Sequence, residues 1–176
     1  MALLTVAKLG NPVLRQIAQP VDPREIHSKA LQQFIDDMFE TMAEEEGIGL
    51  AAPQVSRSQQ VIVMECRGEG GFPQTVLINP SIVFYGPNQV EMWEGCLSVE
   101  GLRGKVTRPS MVKVRALDRD GTTLELDATG LFAVCIQHEI DHLIGKVFLD
   151  RMTDLSTLTH LEEFDQYWRQ EHATVI

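Results

Sequence analysis

The chain has 176 residues, 44% of them hydrophobic and 23% charged, a balance that suits one soluble globular core. Acidic residues outnumber basic ones 25 to 15, for a net charge of −10, which argues against stable binding to nucleic acid through clustered Lys and Arg. No apolar run approaches the ~20 residues needed to cross a bilayer, so no membrane partner is expected.

The apolar part of MALLTVAKLGNP is too short for a secretory signal, and Cys66, Cys96 and Cys135 form no scaffold-like pattern. A single domain over residues 1–176 in the reducing cytoplasm is the expectation. Asn11-Pro12 predicts a short helical turn through Ile17, and Pro20 and Pro23 then keep the chain extended or turning. Leu31, Phe34, Ile35, Met38, Phe39 and Met42 recur at the helical period, which predicts an amphipathic helix over 28–46, stopped by Gly47. Three glutamates, Glu44, Glu45 and Glu46, stand at its C-terminal end, where the helix dipole disfavours them.

Strands are predicted at 61–66, 75–78, 82–85 and 90–93, with breaks at Gly70-Gly71, Asn79-Pro80 and Gly86-Pro87. Asp118-Arg119-Asp120-Gly121 reads as the turn of a hairpin between 111–117 and 122–126. A helix over 131–144 follows, capped by Asp127 or Thr129 and stopped by Gly145, then a looser helix over 155–171. The order gives an α+β fold: small antiparallel sheets packed around a central buried helix, with an N-terminal amphipathic helix and a C-terminal helix.

The buried helix carries the chemistry. Leu131, Phe132, Val134, Ile136, Ile140, Leu143 and Ile144 surround it with apolar surface, yet it also holds His138, Glu139 and His142. Residues four apart stack on one helical face, so both imidazoles can meet one ion, with the Glu139 carboxylate beside it. Left without partners, each such buried group would cost ~1–3 kcal/mol. A metal ion removes that cost, which favours a metal site over a core helix with hydrogen-bonded histidines.

A catalytic metal needs a third protein ligand. Cys96, in EGCLS (94–98), follows a strand-like run and stands beside Gly95, where backbone can approach closely; Glu162 on the last helix is the alternative. Cys96 is favoured, because Glu162 sits with Glu163 and Asp165 on what reads as a solvated acidic face. A third segment, GIGLAAPQ (47–54), offers two small residues and the amide of Gln54, a donor suited to a developing oxyanion.

Together, GIGLAAPQ, EGCLS and QHEIDHLIG (137–145) resemble the three signature motifs of the peptide deformylases, in order and over nearly the whole chain. The resemblance implies hydrolysis of the formyl group from the N-terminal formyl-methionine of newly made polypeptides. It implies that Cys96, His138 and His142 hold one divalent metal ion, ferrous iron (Fe2+) natively, with zinc, nickel or cobalt (Zn2+, Ni2+, Co2+) as substitutes. Glu139 would move the proton of the attacking water, and Gln54 and the Leu97 N–H would stabilise the oxyanion. Ile48, Gly49 and Gly95 would offer backbone to an extended substrate, with Arg103 further along it. Leu131, Val134, Cys135 and His138, with Ile48, would line the methionine pocket. Contact with the ribosome would be transient at most, since residues 161–176 hold Glu162, Glu163, Asp165 and Glu171 against Arg169 alone. A zinc endopeptidase using Glu162, and a metal-binding module without turnover, are the competing readings.

Overall fold

The computed structural model describes residues 2–68 and 70–169. Its first helix, α1 (Lys29–Glu44), begins where Ser28 accepts the Leu31 N–H at 3.2 Å, and Leu31, Phe34, Ile35, Met38 and Met42 are buried along one side. Its end differs from the expectation. Glu46, not Gly47, takes the left-handed conformation (φ 56), and the Gly47 N–H closes on Met42 O at 2.9 Å. Gly47 is small for another reason: a Cβ there would stand 3.0 Å from Leu97 Cδ1.

Five strands form the larger antiparallel sheet: β1 (Gly49–Ala51), β2 (Val61–Cys66) and β3 (Phe72–Tyr85), then β6 (Met111–Leu117) and β7 (Thr123–Thr129), in the order β1-β2-β3-β6-β7. The smaller sheet has the order β4 (Gln89–Cys96), β5 (Val99–Pro109), β8 (Thr159–His160). The period of two along β2 explains how the larger sheet is covered. Val61 and Val63 pack with the α1 stripe, while Ile62 and Met64 pack with the second helix, α2 (Gly130–Leu143). Burial on both faces is why this strand is apolar without alternation. Truncating Ile62 or Leu77, both fully buried, to Ala would cost ~2–5 kcal/mol.

Several boundaries moved, each for a physical reason. The two strands expected at 75–78 and 82–85 are one. Asn79-Pro80 makes a register shift between Ile78 and Ser81, with Asn79 at φ 53 and its amide bonded to both Val21 N and Val21 O at 2.8 Å. No strand was expected over 99–109, yet β5 pairs with β4 from Gln89↔Pro109 to Glu94↔Gly104. The 111–126 hairpin forms as expected and runs on to Thr129. Thr129 occupies the N-cap position of α2 without a side-chain capping bond, and Asp127 instead pairs with Lys113 across the hairpin at 3.0 Å. Gly145 takes the expected left-handed turn, at φ 73.

The single helix expected over 155–171 is divided. A 3-10 turn (Leu155–Thr157) leads into β8, which pairs His160 with Leu102 and Thr159 with Arg103, before α3 (Leu161–Tyr167). Phe164 is fully buried there, edge-on to Trp93 at 5.0 Å. The expected end of this helix at Glu171 lies outside the described residues. Among the described residues no helix is long and apolar enough to cross a membrane.

Candidate active site

The three motif segments meet at one cleft of about 440 Å3, lined by Ile48, Gly49, Gln54, Gly95, Cys96, Leu97, Arg103, His138 and Glu139, among others. Strand β1 and the 3-10 turn after it (Ala52–Val55) supply the first group, the end of β4 the second, and α2 the third. Cys96 Sγ lies 3.3 Å from His142 Nε2, and one donor atom from each of Cys96, His138 and His142 falls within 4.8 Å of the others. Donors around one ion with bonds of ~2.0–2.3 Å are separated by about this much. A soft thiolate and two imidazoles suit Fe, Zn, Ni or Co rather than Mg or Ca. Glu162 is exposed on α3 and is not part of this cluster.

A buried chain of charges fixes the first imidazole. His138 Nδ1 lies 2.8 Å from Glu94 Oε2, so its Nδ1–H donates to the carboxylate and Nε2 is left for a ligand bond. Glu94 is gripped by Arg108 through two bonds of 2.6 and 3.0 Å. Arg108 also reaches Asp141 at 2.9 Å, and Asp141 is held from outside by Arg151. Burial alone would push Glu94 up, but the bonds from His138 and Arg108 hold it at about 2. Asp141, Arg108 and Arg151 went unnoticed in the sequence. The available signal was Asp141, a carboxylate between the two histidines of a buried helix.

The electrostatics around the thiols diverge. Burial disfavours a Cys96 thiolate, but the adjacent His142 and His138 pull the group well below the usual thiol range. Cys135 goes the other way, pushed up by burial and then by Glu139 and Glu94, so it remains a neutral wall. His138 is favoured in its protonated form despite burial, because the Cys96 thiolate and Glu94 both face it. The cluster therefore selects a positive charge, whether a proton or a metal cation.

Glu139 is 2% exposed, and among the described residues its Oε2 has no hydrogen-bond partner; His142 Nδ1 is likewise buried without one. Burial raises Glu139 to about 7, against the opposing pull of His138 and His142. Gly49 makes room for this carboxylate, since a Cβ there would overlap Glu139 Oε1 and stand 2.9 Å from its Cδ. Gly95 does the same for the Arg103 guanidinium, which lies across it and donates to Leu102 O at 2.8 Å.

Gln54 is aimed by its own turn. The Ala51 N–H donates to Gln54 Oε1 at 2.8 Å, which leaves Nε2 facing Cys96 Sγ at 3.5 Å and Ser98 Oγ at 3.4 Å. Leu97 forms the adjacent rim. Cys135 lies behind Gly49, with its Sγ 3.9 Å from Ile48 O; like Leu131 and Val134 it is buried and not among the residues that line the cleft.

A Cys-His-His donor set with an unpartnered carboxylate beside it is equipment for hydrolysis by a metal-activated water. The comparisons with known proteins agree on which hydrolysis. Residues 3–157 match the family model of polypeptide deformylase. The peptide deformylase of Stutzerimonas stutzeri is 44% identical over 171 residues, covering 97% of this chain and 99% of the relative. That of Chromobacterium violaceum is 50% identical over 155 residues, 88% and 90% of the two chains. A Met-Ala-Ser-bound class I type b peptide deformylase from Acinetobacter baumannii superposes with a TM-score of 0.83 at 39% identity, over 86% of this chain and 99% of that one. The chain belongs to the polypeptide deformylase family. Its activity is that family's removal of the formyl group from the N-terminus of newly made polypeptides.

Proposed function

We propose that Cys96, His138 and His142 hold one divalent ion, ferrous iron in the native enzyme, and that Glu139 is the general base and acid of the reaction. The observation carrying this is the three-donor cluster with an unpartnered carboxylate at its side. When bound, the ion acidifies water and polarises the formyl carbonyl. Glu139 accepts the proton of the attacking water and returns a proton to the leaving amine, so that formyl-peptide and water give formate and a free N-terminus. A carboxylate lifted by burial and drawn down again by a nearby cation can do both near neutral pH. Gln54 Nε2 and the Leu97 N–H donate to the oxygen on which charge develops.

The remaining expected residues bind substrate. Ile48, Gly49 and Gly95 present backbone groups to an extended peptide as an added strand, and Arg103 meets it further along. Ile48, Cys135 and His138 form the methionine pocket, with Leu131 and Val134 packed behind. Residues 1–176 act as one catalytic domain in the cytoplasm, in transient contact with the ribosome. Formate release from formyl-Met-Ala-Ser, measured on protein purified without oxygen and assayed for metal, tests the reading. Release that tracks iron content supports it. A protein that binds no metal yet turns over, or that cleaves internal peptide bonds instead, overturns it. Iron-loaded enzyme should lose activity in air as oxygen reaches the ion and Cys96, while nickel-loaded enzyme keeps it.

A further inference from the structure

The two oxyanion donors assigned above come from different sheets: Gln54 from the turn after β1, Leu97 from the turn between β4 and β5. One short stretch near the N-terminus touches both turns. The Ala7 N–H donates to Gln54 O at 2.7 Å, and the Leu9 N–H donates to Ser98 O at 2.7 Å. Between them Lys8 Nζ donates to Leu97 O at 3.1 Å and pairs with Glu100 at 3.1 Å. In an extended chain, residues i and i+2 face the same side, so three residues can reach both carbonyls. The Gln54 Nε2 contact to the buried Ser98 hydroxyl closes the frame on the inside.

Core packing does not account for this stretch. Ala7 is buried, but Lys8 and Leu9 are exposed, Leu9 by 45%. What the stretch does possess is two short backbone bonds and one ammonium bond, all made to the residues that carry or flank the donors.

We propose that residues 7–9 are a positioning strap that sets the separation of Gln54 and Leu97 across the cleft. The proposal rests on the reading of those two residues as oxyanion donors. Ala7 and Leu9 do not line the cleft and none of the three is a metal donor, so loss of their backbone bonds should act on turnover, whereas Lys8 lines the cleft mouth. A misplacement of about 1 Å can cost on the order of 10²-fold in rate.

Replacing the Lys8–Leu9 amide by an ester, through semisynthesis, deletes the Leu9 N–H and leaves every side chain in place. With a formyl-Met peptide, kcat should fall about 10–100-fold, while KM and bound metal stay at parent values. In a Gln54→Ala background the same ester should cost at most about threefold, because the two changes then act on one interaction. Parent-like kcat in the folded, metal-loaded ester protein overturns the proposal. An undiminished loss in the Gln54→Ala background does so too, since it marks a general structural role. Should the ester protein not fold, Lys8→Met, which keeps the stem and drops the ammonium, carries the test. Because Lys8 also lines the cleft, a severalfold drop in kcat with KM and metal retained supports the strap, while a change confined to KM, or an unchanged kcat, overturns it. A Gln54→Ala protein with the parent rate removes the donor assignment itself, which separates that failure from failure of the strap.

Discussion

The two histidines of α2 sit one turn apart and are treated in opposite ways. His138 has its outer nitrogen bonded to Glu94, which Arg108 grips, and behind Arg108 stand Asp141 and Arg151. Among the described residues, the outer nitrogen of His142 is buried with no partner, and Glu139 between them has an orphaned oxygen. One side of the cluster is saturated with hydrogen bonds and the other is left short of them. Saturation holds a ligand in one tautomer and orientation. Unsatisfied buried groups cost ~1–3 kcal/mol each, a cost that fits groups awaiting a metal ion, water or substrate. On the proposed reading, the saturated half anchors and the unsatisfied half reacts.

Breaking the cluster itself should have the largest effect. Cys96→Ser should lose both bound metal and activity, because the thiolate is the softest of the three donors. Glu162→Gln, on an exposed face of α3, should change neither. Metal analysis and formate release on the two proteins check this, and retained metal in Cys96→Ser with loss in Glu162→Gln would reverse the ligand assignment.

The unsatisfied half comes next. Glu139→Gln should keep its metal and lose about 10²–10⁴-fold in kcat, the usual share of a general base. The pH dependence of stability sharpens the contrast between the two carboxylates. Glu139 in the folded protein sits at about 7, above its ordinary 4.5, so the fold favours its protonated form. In metal-free protein that contribution is fully present below pH 4.5 and is lost as pH rises through 7. Glu94, at about 2, does the reverse: its contribution is present above 4.5 and is lost as pH falls through 2. Denaturation of chelator-treated protein from pH 4.5 to 7.5 should therefore show Glu139→Gln gaining on the parent by a few kcal/mol as pH rises. A constant difference across that range would mean that Glu139 is not held protonated by its burial.

Much of this division could be read in the sequence, and the missing parts share a cause. His138, Glu139 and His142 were found because helical period is a local property of the chain, as was the α1 stripe. Cys96 and Gln54 stood out through their neighbours Gly95 and Pro53. Arg108 could not be found that way. It lies on β5, a strand hidden by Gly101 and Gly104, and its meaning comes from pairing that puts it opposite Val90 and beside Glu94. The same holds for the division of the last helix, where β8 is created by a partner strand and not by its own two residues. Non-local pairing outweighs local propensity in short strands. Glu46 in a left-handed conformation is a further case, since Gly47 one residue on offered the stronger local signal.

On the saturated side, Arg108→Met should cost stability while leaving the metal donors present. Arg108 is 5% exposed and bridges Glu94 to Asp141, so removing it leaves buried Glu94 with His138 alone and Asp141 with only the part-exposed Arg151. Breaking a buried pair in this way costs ~3–5 kcal/mol. Chemical denaturation measures the loss. It should be accompanied by weaker metal retention, about 10–100-fold, as His138 loses its support. A loss under about 1 kcal/mol would place the pair with ordinary surface ion pairs and remove the distinction between the two halves.

The smallest effect marks where the saturated region ends. Arg151 approaches Asp141 as closely as any pair in the chain of charges, with a shortest bond of 2.5 Å, yet its side chain is 38% exposed against 4% for Asp141. Water screens such a pair, and Asp141 keeps Arg108 when Arg151 is removed. Arg151→Met should therefore cost ~1 kcal/mol or less, with metal content and kcat at parent values. The difference should shrink further in 1 M salt, where screening acts over ~3 Å. A cost equal to that of Arg108→Met, and insensitive to salt, would show that the support of His138 extends cooperatively to the surface. The boundary between the anchored half and its surroundings would then lie at Arg151, one step beyond Asp141.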